Sequence, residues 1–309
     1  LFKRKLLNYW VIIIPNITSD YHLGIVTTFK QSNSQHAVVL IHGLCGTPME
    51  LGSIPKALKD AGYHVHICEI ENYTATKLNK AQRIDWNLWH QHVDMVITEL
   101  LETYTTVSLC GLSMGATLSL AVASARSDIT SISLLSPVLR YDGWAIKWYE
   151  NLMLIPYLLG FRNWSYKEQD PFGIKNIELR RRVAKSLLKD GVSQVGAAEI
   201  SARHLYTARK MMKEVRNSLI DVKADVLCIH AIDDETAAPR NTEQIIAEVS
   251  SETRKAVWLG DCYHIITVDN EREIVTNETL RFIQKSINAH ENNIDYRKVS
   301  NRSMLKDRR

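Results

Sequence analysis

The stretch Ser108–Ser119 reads SLCGLSMGATLS. Gly111 and Gly115 flank Ser113 at two residues' distance, directly after the strand-like run Thr106–Cys110. Ala116–Ser124, which follows, reads as a helix that opens on small residues. On its own, G-x-S-x-G is a weak signal, arising by chance about one time in ten in a chain of this size. The strand before it and the helix after it change its meaning. A backbone that turns this sharply leaves room only for small residues beside the serine, and the hydroxyl is pushed out of the fold. At a helix N-terminus, unpaired N–H groups and the helix dipole favour developing negative charge. The spacing is that of an exposed nucleophile.

Working outward, six short runs are rich in apolar and β-branched residues: Ala37–Ile41, Tyr63–Ile70, Thr106–Cys110, Ile129–Leu135, Ala224–His230 and Lys255–Leu259. Several are almost continuously apolar, which suits parallel strands covered on both faces. Helical patterns lie between them. Asp85 is placed to cap a helix whose apolar positions 86, 89, 93, 96, 97, 100 and 101 follow a spacing of three and four. Asn277–Asn288 shows the same period. Strand alternating with helix predicts an α/β fold with a mostly parallel, doubly wound sheet and helices on both faces. Between about Tyr141 and Leu219 no strand is evident. Helical patterns around Ile177–Leu188 and Ala197–Val215 predict a helical insertion there.

A serine hydroxyl needs a base, and the base needs an orienting acid. Of eleven histidines, His64 and His66 lie in a strand-like run, and His90 and His92 on a helix. His42, in IHGLCG, reads as a hydrogen bonder that shapes a loop. His264 follows the last strand, in LGDCYHIITVD, at the sheet edge where open α/β folds bind ligands. Asp233, Asp234 and Glu235 follow the strand VLCIHAI on that same edge. The chain order Ser113, Asp234, His264 is nucleophile, acid, base.

Four motifs carry a resemblance: HGLCGTP (His42–Pro48), GLSMG (Gly111–Gly115), DDETAAP (Asp233–Pro239) and YHIITVD (Tyr263–Asp269). The chain resembles the α/β-hydrolase family, and within it the bacterial carboxylesterase and monoacylglycerol-lipase group. The resemblance covers roughly residues 35–135 and 222–290. It implies a hydrolase core over 36–140 and 216–290, a cap over 141–215, an N-terminal segment over 1–35 and a basic tail over 291–309. A proline five positions after the acid favours Asp234, with Pro239, over Asp233. The family's oxyanion hole maps to the backbone N–H groups of Leu44 and Met114. Where the family usually ends the serine loop with Gly-Gly, this chain has Gly115-Ala116. The implied activity is cleavage of carboxylic esters through an acyl-serine, with no cofactor and no metal. A thioesterase or acyltransferase would use the same three side chains, and a non-catalytic receptor could use the same scaffold.

The expected insertion is dense in apolar residues: Trp144, Trp148, Tyr149, Leu152, Met153, Leu154, Tyr157, Leu158, Leu159 and Phe161. This predicts an apolar surface over the catalytic edge and a substrate with a medium or long acyl group, such as a monoacylglycerol-like lipid. Anchoring of the cap, or contact with a membrane surface, are the other readings of that run. The net charge of +4 is carried by the ends. Lys3, Arg4 and Lys5 open the chain, and six basic residues against one acid close it from Tyr296 to Arg309. The body is mildly acidic, which argues against a nucleic-acid groove and leaves weak attraction to an anionic membrane as the sharper reading of the ends. Five scattered cysteines without a CxxC pair suit a reducing compartment. The run Trp10–Ile14 is too short to span a bilayer and lacks a cleavage site after it, so the expected location is cytoplasmic. The first residue is Leu, which allows for residues upstream.

Overall fold

The computed structural model describes residues 10–13, 35–79, 84–146, 154–161, 163–190, 192–193, 196–197 and 199–306. Each of the six runs becomes a strand: β2 (His36–Ile41), β3 (His64–Ile67), β4 (Thr106–Leu112), β5 (Ile129–Leu135), β10 (Asp225–Ala231) and β11 (Arg254–Leu259). A seventh strand, β1 (Trp10–Ile13), pairs with β11 from Trp10 opposite Lys255 to Ile13 opposite Trp258. The short apolar run near the start is thus an edge strand. The sheet order is β1-β11-β10-β5-β4-β2-β3, and every pair is parallel.

Period-two alternation splits β2, β4, β5, β10 and β11 between two cores. In β2, Ala37, Val39 and Ile41 enter one core; Val38 and Leu40 enter the other. The first core is closed by α2 (Trp86–Leu101), α3 (Met114–Ala125), α6 (Ala202–Ser218) and α7 (Arg240–Glu248). The second is closed by α1 (Ile54–Asp60) and α8 (Arg272–Lys306). The Asp85 side chain accepts from Asn87 N at 3.2 Å, so the start of α2 is set as its sequence implies. The pattern read over Asn277–Asn288 lies inside α8, whose helix runs on to Lys306. Among the described residues, no helix is long and apolar enough to cross a membrane.

The segment between β5 and β10 corrects one expectation. It holds α4 (Leu154–Leu158) and α5 (Ile177–Asp190), but also β6 (Ser165–Lys167), β7 (Val192–Ser193), β8 (Gly196–Ala197) and β9 (Glu199–Ser201). These strands pair antiparallel, β6 with β9 and β7 with β8. At two or three residues each they are too short to show alternation, which is why they escape a periodicity search. The segment leans on the loops after β2 and β11 through Ala197 N, which donates to Cys45 O at 3.0 Å, and Ile265 N, which donates to Gly173 O at 2.8 Å.

Candidate active site

Because all strands of the seven-stranded sheet run the same way, the loops after β2, β4, β10 and β11 meet at one edge. Ser113 sits between β4 and α3 with φ 57° and ψ −118°. A non-glycine residue there stores roughly 1–3 kcal/mol of strain. Its N–H donates to Leu135 O at 2.8 Å, which pins the turn to β5. The flanking glycines are required by close approach of backbone. A Cβ at Gly111 would lie 2.3 Å from Gly115 O, and one at Gly115 would lie 2.3 Å from Ile41 O.

The Ser113 hydroxyl is 2.7 Å from His264 Nε2, and His264 Nδ1 is 2.7 Å from Asp234 Oδ2. Asp234 is buried, and its Oδ1 accepts from Thr236 N and Ala237 N at 2.8 Å each. Its neighbour Asp233 is turned outward, where Oδ2 accepts from Lys175 Nζ at 3.1 Å. Burial would raise the Asp234 carboxyl, but the charges and hydrogen bonds of His264 and His230 outweigh it and hold the group well below the usual carboxylate range. Burial would likewise lower His264. The Asp234 charge and hydrogen bond, with the charges of Glu235 and Glu168, reverse that and raise the imidazole to about 9.

Three further carboxylates surround this group. Glu235 is buried, and its Oε2 accepts the His264 N–H at 3.1 Å. Burial raises its pKa. Glu168 is exposed overall but also lines the cavity, where desolvation and the Glu235 charge push it up to about 7. Glu50 is buried, and its Oε2 accepts from Gly43 N at 2.9 Å. Burial pushes its carboxyl up to about 8 against the smaller opposing effect of that hydrogen bond. Gly46 packs on the same carboxylate, and a Cβ there would lie 2.2 Å from Oε2. His42 is fully buried, with Nδ1 2.7 Å from Gly43 O and Nε2 2.9 Å from Thr74 Oγ1. It shapes the loop and stays out of the Ser113 cluster.

Ser113 opens onto a cavity of about 120 Å³. Leu44 and Met114 line it, as do Leu112, Phe172, Leu187, Ile200 and Ile265. Met114 is the first residue of α3, so its N–H precedes the helix's own hydrogen-bonded turns. Among the described residues, none of the apolar run between Trp144 and Phe161 lines this cavity. Leu158, Leu159 and Phe161 are 65–73% exposed, and Trp144 caps the outside by donating Nε1–H to Asp233 O at 2.9 Å. Tyr157 stacks on Tyr206 instead. Trp148, Tyr149, Leu152 and Met153 lie outside the described residues. An apolar run predicts burial of some kind, but it carries no information on which side of the segment will face the site.

The family model described as serine aminopeptidase, S33, matches residues 32–272. The chain belongs to this α/β-hydrolase family. It is 23% identical over 257 residues to a thermostable monoacylglycerol lipase of Bacillus sp. (strain H-257), covering 83% of this chain and 94% of that one. It is 24% identical over 260 residues to a carboxylesterase of Bacillus subtilis (strain 168), covering 84% and 95%. In fold it is similar to a soluble variant of monoglyceride lipase from Saccharomyces cerevisiae, with TM-score 0.68, 17% identity and coverage of 82% and 87%. It is also similar to a monoacylglycerol lipase of Paleococcus ferrophilus, with TM-score 0.66, 18% identity and coverage of 80% and 93%. The protein is an enzyme of the serine-hydrolase class.

Two residues of the hydrolase that its motifs leave unassigned hold the site's loops. Asp269 is fully buried and accepts from Tyr263 N at 2.9 Å, Lys175 N at 2.7 Å and Asn176 N at 2.9 Å, tying the His264 loop to the segment before α5. Glu50, whose side chain holds Gly43, also accepts a bond from Thr267 Oγ1 through its carbonyl. Asp269 lies inside the quoted motif YHIITVD, so its position was visible; its three partners were not. Cys45 and Cys262 are buried, and burial pushes both thiols well up. They pack as small residues, and alkylation sensitivity does not follow from their surroundings.

Proposed function

We propose that the hydrolase cleaves carboxylic esters of medium acyl length through an acyl-serine at Ser113. The hydrogen-bonded chain from Ser113 through His264 to Asp234 carries this reading. Ser113 attacks the acyl carbonyl while His264 takes its proton. Asp234 holds the ring by Nδ1 and stabilises the imidazolium that forms. The N–H groups of Leu44 and Met114 receive the oxyanion, and His264 returns the proton to the leaving alcohol. Water then attacks the acyl-serine by the same route and frees the acid. Loss of one oxyanion donor of this kind costs about 10²–10³ in kcat.

Acyl length is read from the described lining of the cavity. Its volume is well below the ~300–1,000 Å³ of ordinary ligand pockets, which disfavours a long chain. Its apolar walls, Leu112, Phe172, Leu187, Ile200 and Ile265, give a medium chain something to bury. Monoacylglycerol-like lipids of that length are the proposed substrates, consistent with the names of the Bacillus relatives. Rates on p-nitrophenyl esters from acetyl to palmitoyl, with matched acyl thioesters and aminoacyl anilides, test this. Greatest kcat/KM on a medium-chain oxygen ester is expected. A maximum at acetyl or palmitoyl would overturn the chain-length assignment, and a preference for thioester or anilide would overturn the ester assignment.

A further inference from the structure

Beyond the catalytic cavity, the chain leaving β5 meets α6 and the start of α7 around a second pocket of about 360 Å³. Four of its lining residues are arginines: Arg140, Arg209, Arg216 and Arg240. Asp142 is the single acid among the described lining residues. It is already committed, accepting from Arg240 Nε at 2.5 Å, Ala238 N at 2.8 Å and Asn241 Nδ2 at 2.8 Å. Arg140 Nη1 donates to Gln244 Oε1 at 2.5 Å, and Arg216 Nη1 donates to Leu139 O at 2.5 Å. Those acceptors are neutral, and each bond uses one of a guanidinium's five N–H donors. The lining therefore carries four positive charges and one negative.

This concentration is local, since the body of the chain is mildly acidic away from its ends. Arg209 and Arg216 are half-buried, whereas Arg140 and Arg240 are exposed. Burial lowers the pKa of both Arg209 and Arg216, and the nearby Arg140 charge lowers Arg216 further. Arg209 and Arg216 lie seven apart on α6, with Met212 between them, so the helix presents both to one side. Guanidinium groups clustered around one pocket attract an anion through their summed field. A planar guanidinium pairs two oxygens at once. A carboxylate offers only two oxygens, whereas a terminal phosphate offers three around a tetrahedral centre and serves several forks together.

We propose that the pocket bounded by Arg140, Arg209, Arg216 and Arg240 binds a phosphomonoester group, carried by a soluble molecule or by a lipid headgroup. Tyr141 lines both this pocket and the cavity of Ser113, so an occupant sits against the outer side of a catalytic-cavity wall. The inference does not rest on the ester-cleaving reading. Calorimetric titration of the full chain with inorganic phosphate and with AMP tests the soluble source. Retention on vesicles of equal parts phosphatidic acid and phosphatidylcholine, against phosphatidylcholine alone, tests the lipid source. Saturable binding in either arm is expected, weakened about tenfold or more in Arg140→Gln and in Arg209→Gln and reduced by added salt. Thermal unfolding without ligand checks that each variant folds. If Arg209→Gln does not, Arg140→Gln decides, because its side chain is exposed and its bond to Gln244 is peripheral. Absence of binding in both arms, or binding unchanged in a folded variant, would overturn the proposal.

Discussion

His264 is surrounded by acid. Asp234 bonds its ring, Glu235 accepts its backbone N–H, and Glu168 faces it across the cavity. Their combined charge raises the imidazole to about 9 in spite of burial. A general base works only when neutral, so activity is expected to rise with pH until it levels near that value. In a pH profile of kcat/KM on an uncharged ester, the ascending limb should lie well above the ordinary histidine value of 6.5. Glu235→Gln keeps an acceptor for the His264 N–H but removes a charge, and should move that limb to lower pH. A wild-type limb at the ordinary value, unmoved in the variant, would contradict this. The three side chains that meet here, Ser113, Asp234 and His264, are legible in the sequence because each sits in a short motif at a strand end. Glu235 is in one of those motifs too, but its bond to His264 spans 29 positions and no local pattern announces it.

Among the elements, the β4–α3 turn is the most legible, since its glycines are fixed by backbone contacts that hold wherever this turn occurs. The short helical turn Pro48–Leu51 is the least. It reads as part of a loop, yet it plants Glu50 beneath Gly43. The Glu50 carboxyl keeps its proton up to about 8 in the folded chain, against a reference value of 4.5. Between those values the folded state holds a proton that the unfolded chain has lost. This contribution to stability is complete below the lower value and disappears as pH rises through the upper one. Urea unfolding across that interval should show a decline in wild type that flattens in Glu50→Gln, which is neutral throughout and still accepts from Gly43 N. Glu50→Ala leaves that N–H without its acceptor and should cost ~1–3 kcal/mol, with activity down about tenfold as the loop of Leu44 relaxes. A wild type that gains stability over the interval would refute the assignment.

At the scale of the whole molecule, the doubly wound sheet is legible because buried parallel strands are near-continuous apolar runs. In the inserted segment the two helical patterns become α5 and α6, but the short strands do not show, because two or three residues carry no period, and exposed apolar side chains imitate buried ones. Asp269 is one tie between that segment and the edge that carries Ser113, accepting from Lys175 N and Asn176 N on the segment and from Tyr263 N beside His264. Asp269→Ala should lower the melting temperature and reduce kcat/KM about tenfold or more, read by calorimetry and ester hydrolysis; wild-type values for both would show that the tie does not position His264. The most direct test of the central claim is covalent labelling by a fluorophosphonate, followed by intact mass and peptide mapping. One adduct on Ser113 is expected in wild type, none in Ser113→Ala, and labelling slowed by orders of magnitude in His264→Ala. An adduct at another residue, or undiminished ester hydrolysis by Ser113→Ala, would contradict the account.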